Sequence, residues 1–269
     1  MKRTVSARLV FKTTANTSLV LAVAVARNEG YDAVEETLSA TVAGSEVPLA
    51  ELADVHGGRL HALTLAEPSE VVVEYAASVT GHAVPEPADP VELIRYVRPS
   101  RYCESDRLLP TSYAEFAGLH GAELVAAVRG WVSKELRYVS GSSRGTDGAV
   151  ETLLHRRGVC RDFAHLAVSL LRAKDVPARV AAVYAPGLSP MDFHAVAEAY
   201  VDGAWQVIDP TGLAPREAML RIATGRDASD TAFLSTVGGS LSLHQLAVTA
   251  AVSEGELPAE DSEAAVLIR

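Results

Sequence analysis

Apolar and polar residues alternate through the first third of the chain. Val5, Ala7, Leu9 and Phe11 recur every second position, which predicts a strand with one buried face. Residues 18–27, 34–42, 60–65 and 71–79 are also strand-like, rich in β-branched residues. Asn28-Glu29-Gly30, Ala43-Gly44-Ser45 and His56-Gly57-Gly58 punctuate them as turns. Residues 1–83 are therefore expected to form an all-β sandwich. Pro85, Pro87 and Pro90 among acidic residues read as a linker, and 84–110 as a crossover to a second unit.

The period then changes. Leu124, Val125, Val128, Trp131, Val132 and Leu136 fall on one face of a helix over 122–136. A short helix is predicted over 148–156 and a longer one over 159–174, stopped by Asp175-Val176-Pro177. Strands are predicted over 178–184, 195–201 and 204–208, the last two joined by a hairpin turn at Asp202-Gly203. Residues 241–252 are expected to close this second sheet. The pattern is that of an α+β unit over 111–253, followed by a solvated acidic tail over 254–269.

The chain has 269 residues, 48% of them hydrophobic and 22% charged, with a net charge of -10. That charge argues against nucleic acid or an anionic membrane as partner, since both need clustered Lys and Arg. Two cysteines make no disulfide framework, so a reducing, cytoplasmic setting is expected. Lys2, Arg3 and Arg8 ahead of the apolar run 19–26 have the outline of a leader. The alternation over 5–11 favours a strand instead, and the run is too short to span a bilayer.

Three residues carry candidate chemistry. Cys160 follows Gly158 at a predicted helix start, where partial positive charge and free N–H groups favour a thiolate and can receive an oxyanion. His194 opens a strand after a loop containing Pro186, Gly187 and Pro190. Asp209 ends the next strand of the same hairpin, so the turn brings it roughly opposite His194. A carboxylate on one imidazole nitrogen and a thiol at the other make a nucleophilic triad. His165 reads as a packing residue, Cys103 as a structural thiol, Arg161 and Asp162 as capping or surface pairs, and Thr224-Gly225-Arg226-Asp227 as an ordinary turn. His56 and His61 lack zinc spacing, and no calcium, phosphate or dinucleotide motif is present, so no metal or cofactor is expected.

Gly158-Val159-Cys160-Arg161-Asp162, Phe193-His194-Ala195 and Asp209-Pro210-Thr211 resemble the core of the bacterial transglutaminase-like superfamily. The likeness runs from Tyr138 to Gly225, through Ser140-Gly141-Ser142, Phe163-Ala164-His165-Leu166 and Val176-Pro177-Ala178-Arg179. The β-rich start and Arg98-Pro99-Ser100-Arg101-Tyr102-Cys103 are similar to the region ahead of the core in one bacterial subgroup. The resemblance implies a papain-like α+β core. It implies Cys160 as nucleophile, His194 as general base and then acid, and Asp209 as orienter. The backbone N–H of Cys160 would hold the oxyanion, with Tyr138 or Ser142 as the second donor. A peptide or protein amide would be cleaved through a thioester, as by a cysteine peptidase or amidase. Protein cross-linking is the alternative chemistry, and a non-catalytic binding or assembly module the alternative of another class. One departure stands out: the residue two after the family histidine is often Trp, and here it is Val196.

Overall fold

A computed structural model describes residues 1–260 and 264–268. The first seven strands are β1 (Lys2–Thr13), β2 (Thr17–Leu21), β3 (Tyr31–Val42), β4 (Ser45–Val47), β5 (Ala50–Ala53), β6 (Arg59–Leu65) and β7 (Glu70–Gly81). After the proline-rich stretch come α1 (Pro90–Arg95), α2 (Leu109–Glu115) and α3 (Gly121–Glu135). Then follow β8 (Arg137–Tyr138), α4 (Ala149–His155), β9 (Arg157–Gly158) and α5 (Cys160–Arg172). The chain continues through β10 (Ala178–Tyr184), β11 (His194–Val201), β12 (Ala204–Ile208), β13 (Leu220–Gly225), α6 (Ala228–Thr231), β14 (Leu234–Val237) and β15 (Leu241–Glu254). The architecture is α+β, and its larger sheets are antiparallel throughout.

Two sheets form the sandwich, in the orders β15-β1-β7-β3-β4 and β14-β2-β6-β5. On β1 the residues predicted to face inward, Val5, Ala7, Leu9 and Phe11, are all buried. The sandwich differs from expectation in where it ends. β15 pairs with β1 along almost its whole length, and β14 pairs with β2, so the strand predicted over 241–252 completes the first unit rather than the second. Period-two alternation specifies a half-buried strand but not which sheet receives it.

The apolar run 19–26 behaves differently from a single strand. It leaves the sheet after Leu21, and Ala22 to Ala26 stay buried while their amides bond elsewhere. Ala22 donates to Phe233 O, Val25 to the Tyr75 hydroxyl and Ala26 to Arg221 O. Buried amides need such partners, and here the partners knit the sandwich to β13.

The second unit is a four-stranded sheet, β12-β11-β10-β13, with α5 laid across one face. Phe163, Leu166, Ala167, Leu170 and Leu171 of α5 meet Val180, Ala197, Ala199 and Ile208 in one core, to which α3 adds Leu124, Val128 and Val132. Every residue of β10 is buried. Further along the face that α5 covers, Ala182 and Tyr184 join the same core as Leu9, Leu21 and Val73, while Ala181 and Val183 on the opposite face pack with Val266 and Ile268. A strand covered on both sides reads as a continuous apolar run, which Ala178 to Tyr184 largely is.

The acidic tail is partly built in. Residues 261–263 and 269, which belong to the expected tail, lie outside the described residues. Around that gap, Glu260 accepts from Arg216 Nε at 2.7 Å, Val266 O accepts from Val207 N at 2.7 Å, and Val266 and Ile268 are buried. Among the described residues no helix is long and apolar enough to cross a membrane.

One charged group sits inside this apolar frame. Glu198 on β11 is fully buried between Arg179 of β10 and Arg221 of β13. Arg179 Nε donates to Oε2 at 2.7 Å, and Arg221 donates to both carboxylate oxygens at 2.7 Å. Burial opposes ionisation, but the two guanidiniums outweigh it and hold the Glu198 carboxyl down at about 2. Removing the carboxylate leaves two buried cations, so Glu198→Gln should cost about 3 kcal/mol of unfolding free energy. A lowered carboxyl contributes stability above its unfolded value of about 4.3 and loses it as the pH falls towards about 2. Urea melts of the two proteins should therefore differ fully at neutral pH and converge on acidification across that window. A gap that stays constant down to pH of about 2 would show that the carboxylate is not the stabilising group.

Candidate active site

Gly158 begins the local construction. A Cβ on it would meet the Asp162 Cβ at 2.6 Å, so only glycine leaves room for that carboxylate. Asp162 turns back over the helix start and its Oδ2 accepts from the Val159 N–H at 2.8 Å. Val159 is extended (φ -112, ψ -179), and Cys160 is the first residue of α5. Ser143 donates to Asp162 Oδ1 at 2.8 Å, and Arg161 Nη2 donates to Ser143 Oγ at 2.6 Å. Arg161 and Asp162 thus lock the helix start against the 140s loop. The thiol stands half-buried at the positive end of a helix of 13 residues.

His194 is the first residue of β11 and is buried. Its Nε2 meets Asp209 Oδ2 at 2.7 Å. Asp209 is turned back by its own chain: Oδ1 accepts from the Thr211 N–H at 2.9 Å and the Thr211 hydroxyl at 2.6 Å. The hairpin geometry is diagonal, not directly opposed. The β11–β12 ladder ends at Ala197 opposite Ile208. Continuing it would set Asp209 across from Val196, so His194 reaches Asp209 as the next side chain on the same face. Asp202 (φ 54) and Gly203 (φ 81) supply the positive-φ turn that sets this register.

The second imidazole nitrogen, Nδ1, is buried and holds no hydrogen bond of good geometry. The group acting on it is the Cys160 thiol. Burial disfavours charge on His194, but the Asp209 carboxylate outweighs it, and Cys160 adds to the effect; together they raise His194 to about 10. Asp209 is correspondingly held low, against its burial, by the charge and hydrogen bond of His194.

Tyr138 comes to the same place by strand pairing. β8 runs parallel to β9, with Tyr138 in register with Gly158. Its ring tilts against Phe163 at 6.0 Å. Burial pushes the phenol up to about 12; the Cys160 side chain adds to this and the Cys160 backbone opposes it. The ladder and the Phe163 contact therefore bring Tyr138 alongside the start of α5. Ser142 is placed otherwise: its hydroxyl donates to Val139 O at 2.7 Å within its own turn. Ser143, not singled out in the sequence, is the serine that reaches the helix start.

The remaining candidates hold structure. His165 is fully buried, stacks on Tyr102 at 5.4 Å and accepts from the Ala228 N–H at 3.1 Å. Burial pushes it down to about 3. Cys103 is fully buried and its thiol is pushed up to about 12 by that burial. Thr224 and Gly225 end β13 instead of forming a turn, and Asp227 caps α6 through the Ser229 N–H at 2.9 Å.

Three likenesses bear on this site. The family model of the transglutaminase-like superfamily matches residues 115–210. The crystal structure of a proposed cysteine protease from Cytophaga hutchinsonii is 32% identical with a TM-score of 0.88, over 98% of this chain and 96% of that one. An uncharacterised protein of Mycobacterium leprae is 32% identical over 126 residues, 42% of this chain and 43% of that protein. The match to that curated relative thus spans less than half its length.

The Asp209 contact sets the charge of the imidazole, and this can be measured. A raised histidine stays protonated through neutral pH and loses its proton only as the pH climbs towards about 10. In an NMR titration His194 should show no transition between pH of about 5 and 8, and Asp209→Asn should bring its transition down into that window. A wild-type transition near the ordinary value of about 6.5 would show that the carboxylate does not govern this ring.

Proposed function

The chain belongs to the transglutaminase-like superfamily, and on that footing we propose that Cys160, His194 and Asp209 transfer the acyl group of a peptide or protein amide through a thioester, with water as the usual acceptor. The observation that carries the reading is the position of His194, with a carboxylate on Nε2 and its free Nδ1 turned to a thiol at a helix N-terminus. Cysteine-based chemistry is what this superfamily fold and its protease-like relative have in common.

The thiolate of Cys160 attacks the amide carbon, and the carbonyl electron pair moves to oxygen. The N–H of Cys160 faces that oxygen, and the Tyr138 hydroxyl is the second donor we assign. Ser142 supplies nothing here in the present arrangement. As the tetrahedral intermediate collapses, the C–N bond breaks and His194 gives its proton to the leaving amine. His194 then takes a proton from water, hydroxide adds to the thioester, and the thiolate leaves with the acid released. Asp209 holds the ring in one orientation and stabilises its charged form through both halves.

Replacing water by a primary amine in the second half would make the same machinery a cross-linker. Hydrolysis is preferred because water needs no dedicated site, whereas aminolysis needs one shaped to hold an amine. A reducing, cytoplasmic setting suits the two unpaired thiols, since the nucleophile must remain free.

The test is brief iodoacetamide treatment at about pH 6.5, well below the ordinary thiol value of about 8.5, followed by intact-mass measurement. Fast single labelling is expected, abolished in Cys160→Ala and slowed at least about tenfold in His194→Ala. Labelling no faster than a free thiol, and indifferent to His194, would sink the triad and promote the binding-module reading.

A further inference from the structure

The segment that delivers His194 presents one more charged group to the same cleft. Met191 and Phe193 are turned inward. Met191 packs against the two cores that flank the catalytic sheet, and the Phe193 ring stacks on Phe233 at 5.0 Å and leans on Tyr184 at 5.5 Å. With Met191 and Phe193 turned inward on either side of it, Asp192 is left exposed two residues ahead of His194. His194 in turn is acted on by Cys160, and Tyr138 by both Cys160 and Asp192. Asp192 is exposed, so it stands at the mouth while His194 lies beneath.

The carboxylate of Asp192 has no lysine or arginine of its own among the described residues. Its hydrogen bond is local, from the Phe193 N–H at 2.7 Å, and among the described residues it has no ion pair. The arginine on the helix start is engaged elsewhere: Arg161 is held by Ser143, the Arg144 carbonyl and Asp162. Asp192 nevertheless acts on both walls of the cleft. Partial burial raises it and the charge of His194 draws it back, while its own charge adds to the raising of Tyr138. An unpaired carboxylate between those two groups overlooks the space a substrate must enter.

We propose that Asp192 is a specificity-determining residue that selects substrates carrying a positive charge, an ammonium or guanidinium, beside the reacting carbonyl. This rests on the reading of Cys160 as the nucleophile. An anionic group at the same place would meet the carboxylate directly, so acidic flanking residues are disfavoured. The charge is offered at the rim, where it attracts a partner without first paying a full desolvation cost.

Charged thiol reagents test this without a known substrate. The trimethylammonioethyl and sulfonatoethyl methanethiosulfonates react alike: the thiolate attacks the sulfenyl sulfur, a mixed disulfide forms and methanesulfinate leaves. They differ only in the sign of the charge brought to Cys160. Their rate ratio cancels the fraction of thiol that is ionised, so it reports the local field. Labelling at Cys160, located by peptide mass, should favour the cation in the native chain. Asp192→Asn should reduce the cation-to-anion ratio about tenfold, the scale for one unit charge several ångströms away in a partly screened site. Glu67→Gln, which removes an exposed charge on the sandwich, should change it less than twofold. Fast, His194-dependent labelling whose ratio is the same in Asp192→Asn would overturn the selectivity and leave the triad standing. Slow labelling that ignores His194 would overturn the triad and the selectivity with it.

Discussion

The second unit is organised around a carboxylate with no access to water. Glu198 takes three hydrogen bonds from Arg179 on the adjacent strand and Arg221 on the strand beyond it, so β10, β11 and β13 are tied at one level. Arg179 extends the tie outward. Its guanidinium lies over the Trp205 ring at 4.2 Å, contacts His56 and pairs with Glu86 at 3.4 Å. His56 in turn meets Glu92 at 2.7 Å. The sandwich turn, the linker and the sheet of the second unit therefore share one buried ion network. Such a network contributes less net energy than its contacts suggest, because desolvation is costly. Breaking any member is destabilising, and that penalty fixes the relative placement of the two units.

The site inherits its rigidity from this frame. His194 lies on the strand that carries Glu198, one turn of alternation after Phe193 is anchored in the aromatic cluster with Phe233 and Tyr184. Tyr184 also donates to Val23 O at 2.7 Å and stacks with Tyr75 at 6.2 Å, so the sandwich core reaches the strand beside the imidazole. On the other side of the cleft Cys160 is held by the helix cap of Asp162, and Asp209 by the Asx turn with Thr211. Each functional group is thus fixed by a local device, and the sheet sets the distances between them. An imidazole with one nitrogen bound and the other free, facing a helix start, suits proton transfer in both directions.

Much of this was legible because it is local. Gly158-Val159-Cys160-Arg161-Asp162 encodes its own geometry: the glycine admits the aspartate, the aspartate caps the helix, and the cap exposes the cysteine. Asp202-Gly203 encodes the hairpin that relates His194 to Asp209. Other features depend on contacts far along the chain. Ser142 and Ser143 are adjacent and chemically identical, and only the packing of the loop on α5 decides that Ser143 reaches the helix start. Tyr138 owes its place to a two-residue parallel ladder with no signature in its composition.

By itself the sequence determined the two classes of secondary structure, the helix start under Cys160 and the hairpin that relates His194 to Asp209, because spacing, turn residues and caps act within a few positions. Tertiary structure alone decided that β14 and β15 return to the sandwich, that residues 264–268 pack beside β12, and that Phe193 packs inward on Tyr184 and Phe233. Alternation shows that one side of a strand is buried. It does not show which neighbour buries it, since that is settled by long-range pairing and by the matching of buried charges from distant segments.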